Sequence, residues 1–378
     1  MDSVLFISIM NSAAWGGSEE IWYKSALHLA GKNQKVGICC FNWEGKEEKL
    51  QQLQKAGCKL YLLPGESETK SLWGKYKLDE ALHSIPLSDY NKVILNQGGW
   101  KDIVHGPFKK LYQKLPPYVL LFHNYDTLEK LQKSKIKSLN NWVLNAEKNI
   151  GDAGRIFSVI KSTCNLDIPR NYVLFNPVTI QLPGSQTPFT SQPEDKLEFT
   201  VLAELDIKRK AQDVLIKALA TDKWKTRNYR LNIYGNGKDK QVLEKLISDT
   251  GLSSKVFLKG FTKDVKEVLT NSHVLLQLTH IDAMPISVTE ALAMSRPVIA
   301  SDVGDMPLWI NEGINGWIAK KACIEEIDRV LENAWQQRNK LEEMGRESYK
   351  IFKQKYPEHP VEYFLSLAGI SSCETKNE

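Results

Sequence analysis

Residues 274–301 read VLLQLTHIDAMPISVTEALAMSRPVIAS, two apolar runs with an amphipathic segment between them. The runs lie at residues 274–278 and 297–301, and residues 288–294 have the apolar spacing of a helix. A strand, a helix and a strand in this order form a βαβ unit, whose parallel strands are buried on both faces and so lack polar alternation. The stretch therefore predicts an α/β fold with a parallel sheet.

The same alternation extends along the whole chain. Residues 177–194 interrupt it with Pro, Gly, Ser, Gln and Thr, and we interpret them as a linker. The sequence thus predicts two doubly wound, Rossmann-like domains, at residues 1–185 and 195–345, whose strand ends face a shared ligand-binding cleft. Large apolar side chains at residues 346–368 predict a C-terminal helix that packs back on the first domain. The other predicted strands are residues 4–10, 35–42, 59–63, 92–96, 118–123, 155–160, 172–176, 199–205, 230–234 and 256–258.

The composition is that of a globular protein. Of the 378 residues, 42% are hydrophobic and 25% are charged, which excludes a disordered or collagen-like chain. No apolar run reaches the ~18 residues of a membrane span, and the run at residues 4–10 follows an acidic residue, so we expect a cytoplasmic protein. The six cysteines lack disulfide or zinc spacing, so the sequence predicts no metal site.

A glycine pair precedes the first predicted helix. Gly16 and Gly17 allow the backbone to approach an anion at the helix N-terminus, where free N–H groups favour negative charge. The alternative is an ordinary helix start with Ser18 as its N-cap.

Two carboxylates lie eight residues apart in the stretch quoted first, Asp282 in the loop and Glu290 one turn inside the helix. The amides of Ile286 and Ser287 open that helix and are free to bind an anion, whereas Pro285 has no N–H. A pyrophosphate on those amides, with Glu290 on a ribose hydroxyl and Asp282 on a sugar hydroxyl, outlines a nucleotide-sugar site. The alternative is an acidic loop that caps an ordinary helix.

This pattern resembles the E-x7-E signature of the family 4 glycosyltransferases, which are retaining enzymes of the GT-B fold. Further motifs follow the order of that family over residues 4–320: GGSE at 16–19, FHN at 122–124, FNPV at 175–178, RKAQDVL at 209–215, YGNG at 234–237 and VFLKGF at 256–261. The resemblance implies metal-independent transfer of a hexose-type sugar from a nucleoside diphosphate-sugar, without another cofactor. The glycines at 235 and 237 form only part of a dinucleotide fingerprint, which argues against an oxidoreductase.

The resemblance also implies roles for single residues. Lys210 matches the lysine that faces the donor diphosphate, and His123 matches the histidine near the transferred sugar. Glu290 matches the acid that holds the donor ribose, and Asp282 stands where a glutamate contacts the sugar. Residues 16–17 match the phosphate loop of the first domain.

Two positions depart from the family pattern. Glu204 stands where an arginine usually faces the diphosphate, so Arg209 or Lys208 would have to replace that cation, or Glu204 would have to turn away. Asp282 is one methylene shorter than the usual glutamate. These departures support a competing hypothesis, a non-catalytic nucleotide-sugar or glycan-binding protein derived from a transferase.

The first half of the chain is basic. Residues 1–190 hold 23 Lys and Arg against 17 Asp and Glu, a net charge of +6, and residues 101–137 alone carry +5. This segment predicts a surface that docks on anionic lipid at the inner membrane face, or else a solvated helix face. A glycan or lipid-linked glycan acceptor fits that charge, as in cell-surface polysaccharide synthesis. No recognised module supports nucleic-acid binding.

Overall fold

The computed structural model describes residues 3–8, 10, 15–43, 45–64, 78, 80–105, 115–124 and 131–371. The chain divides into two compact units. Unit 1 comprises Met1–Pro177 and His359–Glu378, and unit 2 comprises Val178–Glu358.

Unit 1 has a parallel sheet of seven strands in the order β3-β2-β1-β4-β5-β6-β7. The order reverses direction between β1 and β4, as in a doubly wound fold. Its strands are β1 Ser3–Ser8, β2 Lys35–Phe41, β3 Lys59–Leu63, β4 Lys92–Gln97, β5 Tyr118–Phe122, β6 Lys148–Gly151 and β7 Asn171–Val173. The helices are α1 Gly17–Gly31, α2 Glu47–Lys55, α3 Trp100–His105, α4 Lys133–Asn145 and α5 Gly154–Cys164.

Unit 2 has a parallel sheet of six strands in the order β10-β9-β8-β11-β12-β13. Its strands are β8 Leu197–Leu202, β9 Tyr229–Tyr234, β10 Val256–Gly260, β11 Val274–Gln277, β12 Val298–Ser301 and β13 Gly316–Ala319. The helices are α6 Ile207–Lys210, α7 Gln212–Leu219, α8 Asp222–Thr226, α9 Lys240–Asp249, α10 Val265–Thr270, α11 Ile286–Ala293, α12 Met306–Trp309, α13 Ile324–Gln336 and α14 Leu341–Lys355. The last helix of the chain, α15 Pro360–Leu367, belongs to unit 1.

Each unit has its own hydrophobic core around its central strands. In unit 1, Phe6 and Trp22 are buried together with Phe364 of α15. In unit 2, Phe199 and Trp317 are buried in one cluster with the apolar face of α13. Strands buried on both faces explain the continuous apolar runs of the sequence.

The end of the chain differs in detail from the single helix predicted at residues 346–368. Helix α14 packs on α11 in unit 2, and only α15 returns to unit 1, where it packs on α1. Pro357 cannot continue α14, and Pro360 is favoured at the first turn of α15, so the chain changes units between the two prolines.

The strand predicted at residues 155–160 is wrong, because these residues lie in helix α5. Ile156, Ile160 and Cys164 are four residues apart and are the buried positions of that helix. The strand that precedes this helix is β6, whose sequence KNIG is too short and too polar to predict a strand. Strand β13 was not predicted either.

The segment predicted as a linker is fixed to unit 2. Arg296 is fully buried, and its guanidinium donates to the carbonyl oxygens of Thr187 at 2.7 Å and Pro188 at 3.0 Å. The ring of Phe189 lies 4.8 Å from the guanidinium carbon. The segment is therefore a structured strap on unit 2.

None of the helices within the described ranges is both long enough and apolar enough to cross a membrane.

Candidate functional site

The carboxyl ends of β8 and β11 bring two predicted residues of unit 2 together. Lys210 is the last residue of α6, which follows β8, and its ammonium forms an ion pair with the carboxylate of Asp282, in the loop after β11. The two side chains are only 13% and 15% exposed. In a poorly solvated pair the charges attract more strongly than they would in bulk water.

Backbone contacts hold these two elements in place. The N–H of His280 and the hydroxyl of Thr279 donate to the carbonyl oxygen of Arg209, at 2.8 and 2.6 Å. Gly304 has φ +56°, and a Cβ there would lie 1.6 Å from the carbonyl oxygen of Ala283. Only glycine fits where the loop after β12 comes this close to the backbone of Ala283. This close contact therefore sets the backbone next to Asp282.

Gln277 is a residue of this site that the sequence analysis missed. Its side-chain amide donates to Asp282 Oδ2 at 3.4 Å, and its carbonyl oxygen accepts from the hydroxyl of Ser287 at 3.2 Å. Gln277 also lines a cavity next to Lys210, together with Gln212. The available signal was a glutamine inside the apolar run VLLQL.

Glu290 is buried in α11 and is held by the start of the strap. Its Oε1 accepts from the backbone N–H of Thr179 at 2.7 Å and from the Thr179 hydroxyl at 2.6 Å. Thr179 carried no signal in the sequence, because 111 residues separate it from Glu290. The carboxylate predicted to hold a ribose is thus oriented by two donors of unit 2.

The amides of Ile286 and Ser287 lie in the first turn of α11, and Pro285 is its N-cap. Anion binding by these amides stays a prediction.

Glu204 forms an ion pair with Arg209. Its side chain is 44% exposed, and one carboxylate oxygen lies 3.7 Å from the guanidinium of Arg209. The negative charge that Glu204 brings in place of the family's arginine is therefore balanced by Arg209, in a solvent-exposed pair. Such a pair contributes little to stability, about 1 kcal/mol or less.

In unit 1, polar side chains gather around His123 at the carboxyl ends of neighbouring strands. The Nδ1 of His123 lies 3.2 Å from Asp152 Oδ2, and its Nε2 lies 2.7 Å from Asn96 Oδ1. Asn176, from the FNPV motif, donates to the same Asp152 oxygen at 3.1 Å. The side chains of His123 and Asp152 are 8% and 6% exposed.

The glycine pair opens α1, with Gly16 as the N-cap and Ser18 inside the first turn rather than at the cap. The N–H of Gly16 donates to the Glu19 carboxylate at 2.7 Å, and the Ser18 hydroxyl donates to it at 2.9 Å. Burial raises the pKa of Glu19, while these hydrogen bonds and the nearby His123 act in the opposite direction. Binding of a donor phosphate by Gly16 and Gly17 stays a prediction.

Five of the eight lysines of the basic segment at residues 101–137 lie outside the described residues or have no described side chain. Its described lysines are Lys133, Lys135 and Lys137 in α4. Among the described residues, no group of three His, Cys, Asp or Glu is arranged to hold a metal ion.

The unit 2 residues of this site lie in a segment that is similar to a known family. Residues 186–351 match the family model described as Glycosyl transferases group 1. The match begins in the strap and ends in α14, so it includes Lys210, Asp282 and Glu290. The matched segment lies in unit 2.

Two curated relatives are similar in sequence to part of this chain. Poly(glycerol-phosphate) alpha-glucosyltransferase of Bacillus subtilis is 24% identical over 185 residues, which cover 47% of this chain and 26% of the relative. Poly(ribitol-phosphate) alpha-N-acetylglucosaminyltransferase of Staphylococcus aureus is 29% identical over 122 residues, which cover 32% and 25%. The chain thus spans about a quarter of the length of each of these two relatives.

Solved structures confirm the predicted fold class. HepE of Anabaena, solved with UDP and glucose, superposes with a TM-score of 0.72 at 14% identity, over 98% of this chain and 100% of that chain. TarM of S. aureus, solved with UDP and α-GlcNAc-glycerol, has a TM-score of 0.73 at 15% identity, over 97% and 99%. The protein has a GT-B α/β fold with two Rossmann-like units.

Proposed function

We propose that the protein is a retaining glycosyltransferase, which moves a sugar from a nucleoside diphosphate-sugar to a glycan or lipid-linked glycan. The observation that carries the proposal is the largely buried Lys210–Asp282 ion pair, with Glu290 eight residues after Asp282, in a segment that matches the Glycosyl transferases group 1 model. The names of the two curated relatives describe transfer of glucose and N-acetylglucosamine, which supports sugar transfer to a polymer.

In this proposal Lys210 stabilises the leaving group. When the bond between the sugar C1 and the diphosphate oxygen breaks, negative charge develops on the diphosphate, and a fixed cation lowers the energy of that transition state. The amides of Ile286 and Ser287 add donors at the N-terminus of α11. Donor binding would require the diphosphate to share Lys210 with Asp282, which then holds a sugar hydroxyl.

Glu290 binds the donor ribose in this proposal. A carboxylate accepts hydrogen bonds from the ribose hydroxyls, and the two Thr179 donors fix its orientation before the donor arrives. This arrangement needs no metal and no further cofactor.

Retention requires the acceptor hydroxyl to bond to C1 on the face that the diphosphate leaves. As the bond from C1 to the diphosphate oxygen breaks, the acceptor oxygen forms its bond to C1. The acceptor proton passes to the departing phosphate oxygen, which is close because both groups lie on one face. His123 would lie near the transferred sugar.

A thermal-shift screen against UDP-, GDP-, ADP- and CMP-sugars tests the donor site. A ligand at 100 times its Kd stabilises the folded protein by about 2.7 kcal/mol. We expect stabilisation by one nucleotide class, loss of that effect in Glu290→Gln, and an unchanged effect in Glu244→Gln, an exposed glutamate of the same unit. No shift with any nucleotide would contradict the proposal, and binding without turnover would favour the non-catalytic alternative.

For the acceptor we propose a glycan or lipid-linked glycan at an anionic membrane surface. The net charge of +6 over residues 1–190 supports it. Each basic residue near such a surface contributes about 1 kcal/mol of attraction. We expect the protein to float with vesicles that contain anionic lipid and not with neutral vesicles; equal recovery from both would remove the membrane proposal.

A further inference from the structure

The side-chain amide of Gln277 joins two elements of the proposed donor site. Its nitrogen donates to Asp282 Oδ2 at 3.4 Å, and its carbonyl oxygen accepts from the hydroxyl of Ser287 at 3.2 Å. Asp282 lies in the loop after β11, and Ser287 lies in the first turn of α11. Gln277 therefore connects the loop of the predicted sugar contact to the start of the helix.

The chemistry of these contacts allows one orientation of the amide. An ionised carboxylate only accepts hydrogen bonds, so the NH2 group of Gln277 has to face Asp282. The carbonyl oxygen then faces Ser287, whose hydroxyl is able to donate. A flipped amide would set its carbonyl oxygen against the carboxylate. The two contacts thus fix the amide and the carboxylate relative to each other.

The place of Gln277 in the sheet makes it a firm support for Asp282. Gln277 is 3% exposed and is the last residue of β11, which lies between β8 and β12. Asp282 Oδ2 also accepts from Lys210, and its Oδ1 accepts from the N–H of Ala283 at 3.0 Å. In the proposed function the diphosphate competes for Lys210, so Gln277 is a donor that Oδ2 keeps.

We propose that Gln277 is a positioning residue, which acts on sugar transfer by orienting the Asp282 carboxylate toward a hydroxyl of the donor sugar. This rests on the proposed function, in which Asp282 holds that hydroxyl and Lys210 faces the diphosphate. Removal of the Gln277 amide should therefore weaken recognition of the sugar and spare recognition of the nucleotide.

Two ligands separate these effects. Isothermal titration calorimetry compares the sugar nucleotide that gives the largest thermal shift with its free nucleoside diphosphate, which lacks the sugar. Gln277→Met removes both hydrogen bonds and keeps an unbranched side chain of similar length. Gln241→Met is the matched control, because Gln241 is an exposed glutamine of α9 in the same unit.

We expect Gln277→Met to raise the Kd for the sugar nucleotide about fivefold or more, the effect of losing one hydrogen bond to a charged group. The Kd for the free nucleoside diphosphate should stay within about twofold, as should both values in Gln241→Met. The kcat for donor cleavage should fall with the sugar contact. A folded Gln277→Met whose ratio of the two Kd values lies within twofold of wild type would overturn the proposal.

A double variant tests whether Gln277 acts through Asp282. Asp282→Ala removes the carboxylate that Gln277 is proposed to orient, so adding Gln277→Met should leave the ratio of the two Kd values within about twofold of Asp282→Ala alone. Additive changes in the double variant would show that Gln277 acts independently of Asp282, which would overturn the proposal.

The test does not depend on one variant. If Gln277→Met does not fold, Gln277→Leu replaces it, because leucine suits the apolar run of β11. If neither folds, a crystal structure of the wild type with the sugar nucleotide decides. An amide nitrogen of Gln277 within hydrogen-bond distance of Asp282 supports the proposal, and an amide turned away overturns it. A wild type that binds no sugar nucleotide contradicts the proposed function instead.

Discussion

Lys210 and Asp282 depend on each other because both are largely removed from water. A buried charge that loses its partner keeps its desolvation penalty, which makes removal of one partner more damaging than removal of both. The pair also brings together the two residues proposed for the donor, Lys210 for the diphosphate and Asp282 for the sugar.

This coupling predicts a double-mutant result. Lys210→Met should lower kcat/KM for donor cleavage about 100-fold, since it removes the cation from the leaving group, and it should also lower the free energy of unfolding. Adding Asp282→Asn should restore stability without restoring activity. Urea unfolding and donor-cleavage assays on the wild type, both single variants and the double variant measure the two effects. Additive stability losses would contradict the coupling.

At the residue scale, the sequence predicted the charged members of the site and missed the residues that orient them. The spacing of Asp282 and Glu290 suggested a nucleotide-sugar site, and the family resemblance indicated Lys210. Gln277 and Thr179 act through contacts that depend on the tertiary fold. The spacing of a motif cannot indicate which residues far away in the sequence will contact it in the folded protein.

At the element scale, the strap is the feature that the sequence described least well. Its composition of Pro, Gly, Ser and Thr indicated a linker, yet buried side chains of unit 2, Glu290 and Arg296 among them, attach it to the domain. Arg296 also donates to the carbonyl oxygens of Leu269 at 2.8 Å and Thr270 at 3.0 Å, so it joins the strap to the end of α10. The burial of Arg296 lowers its pKa to about 10.

Removing this arginine should release the strap. We expect Arg296→Met to destabilise unit 2 by about 3 kcal/mol or more, because several buried carbonyl groups lose their donor. Arg329, in the same unit, is partly exposed and provides the control Arg329→Met. Urea unfolding measures the stability, and limited proteolysis at residues 187–190 measures release of the strap. Equal stability of the two variants, with no new cleavage, would contradict this account of the strap.

The misassigned strand at residues 155–160 shows a second limit at this scale. A segment of six residues with four apolar side chains fits a buried strand and a helix equally well, and only its continuation to Cys164 separates the two. The strands that were predicted in unit 2 had clearer boundaries, because turn residues flank their apolar runs.

At the scale of the whole molecule, a buried histidine makes stability depend on pH. His273 accepts a hydrogen bond from the N–H of Glu198 at 3.0 Å through Nδ1, so it is neutral in the folded protein. Burial lowers its pKa from 6.5 to about 4, with nearby Arg296 acting in the same direction and a hydrogen bond to Ser191 and the charge of Glu194 opposing.

The sign of the effect follows from proton binding. Between pH 6.5 and about 4 the unfolded chain protonates this histidine and the folded chain does not, so acid favours unfolding. The contribution is complete above pH 6.5 and falls by about 3 kcal/mol as the pH drops to about 4. We expect urea unfolding at pH 7 and pH 4.5 to show a larger loss of stability for wild type than for His273→Gln. Equal losses would contradict this role of His273.

The division into two α/β units followed from the sequence, because the apolar runs and the composition of residues 177–194 are properties of the chain alone. The sequence did not predict which part of the C-terminal segment returns to unit 1. Helices α14 and α15 both bury apolar side chains, and only their packing partners distinguish the unit to which each belongs.

The most direct test of the proposed reaction follows the donor that gives the largest thermal shift by 1H NMR, with methanol supplied as a simple acceptor. The account predicts release of nucleoside diphosphate by the wild type, loss of that release in Lys210→Met, and a methyl glycoside with the anomeric configuration of the donor. Release no faster than in Lys210→Met, or a product of inverted configuration, would contradict it.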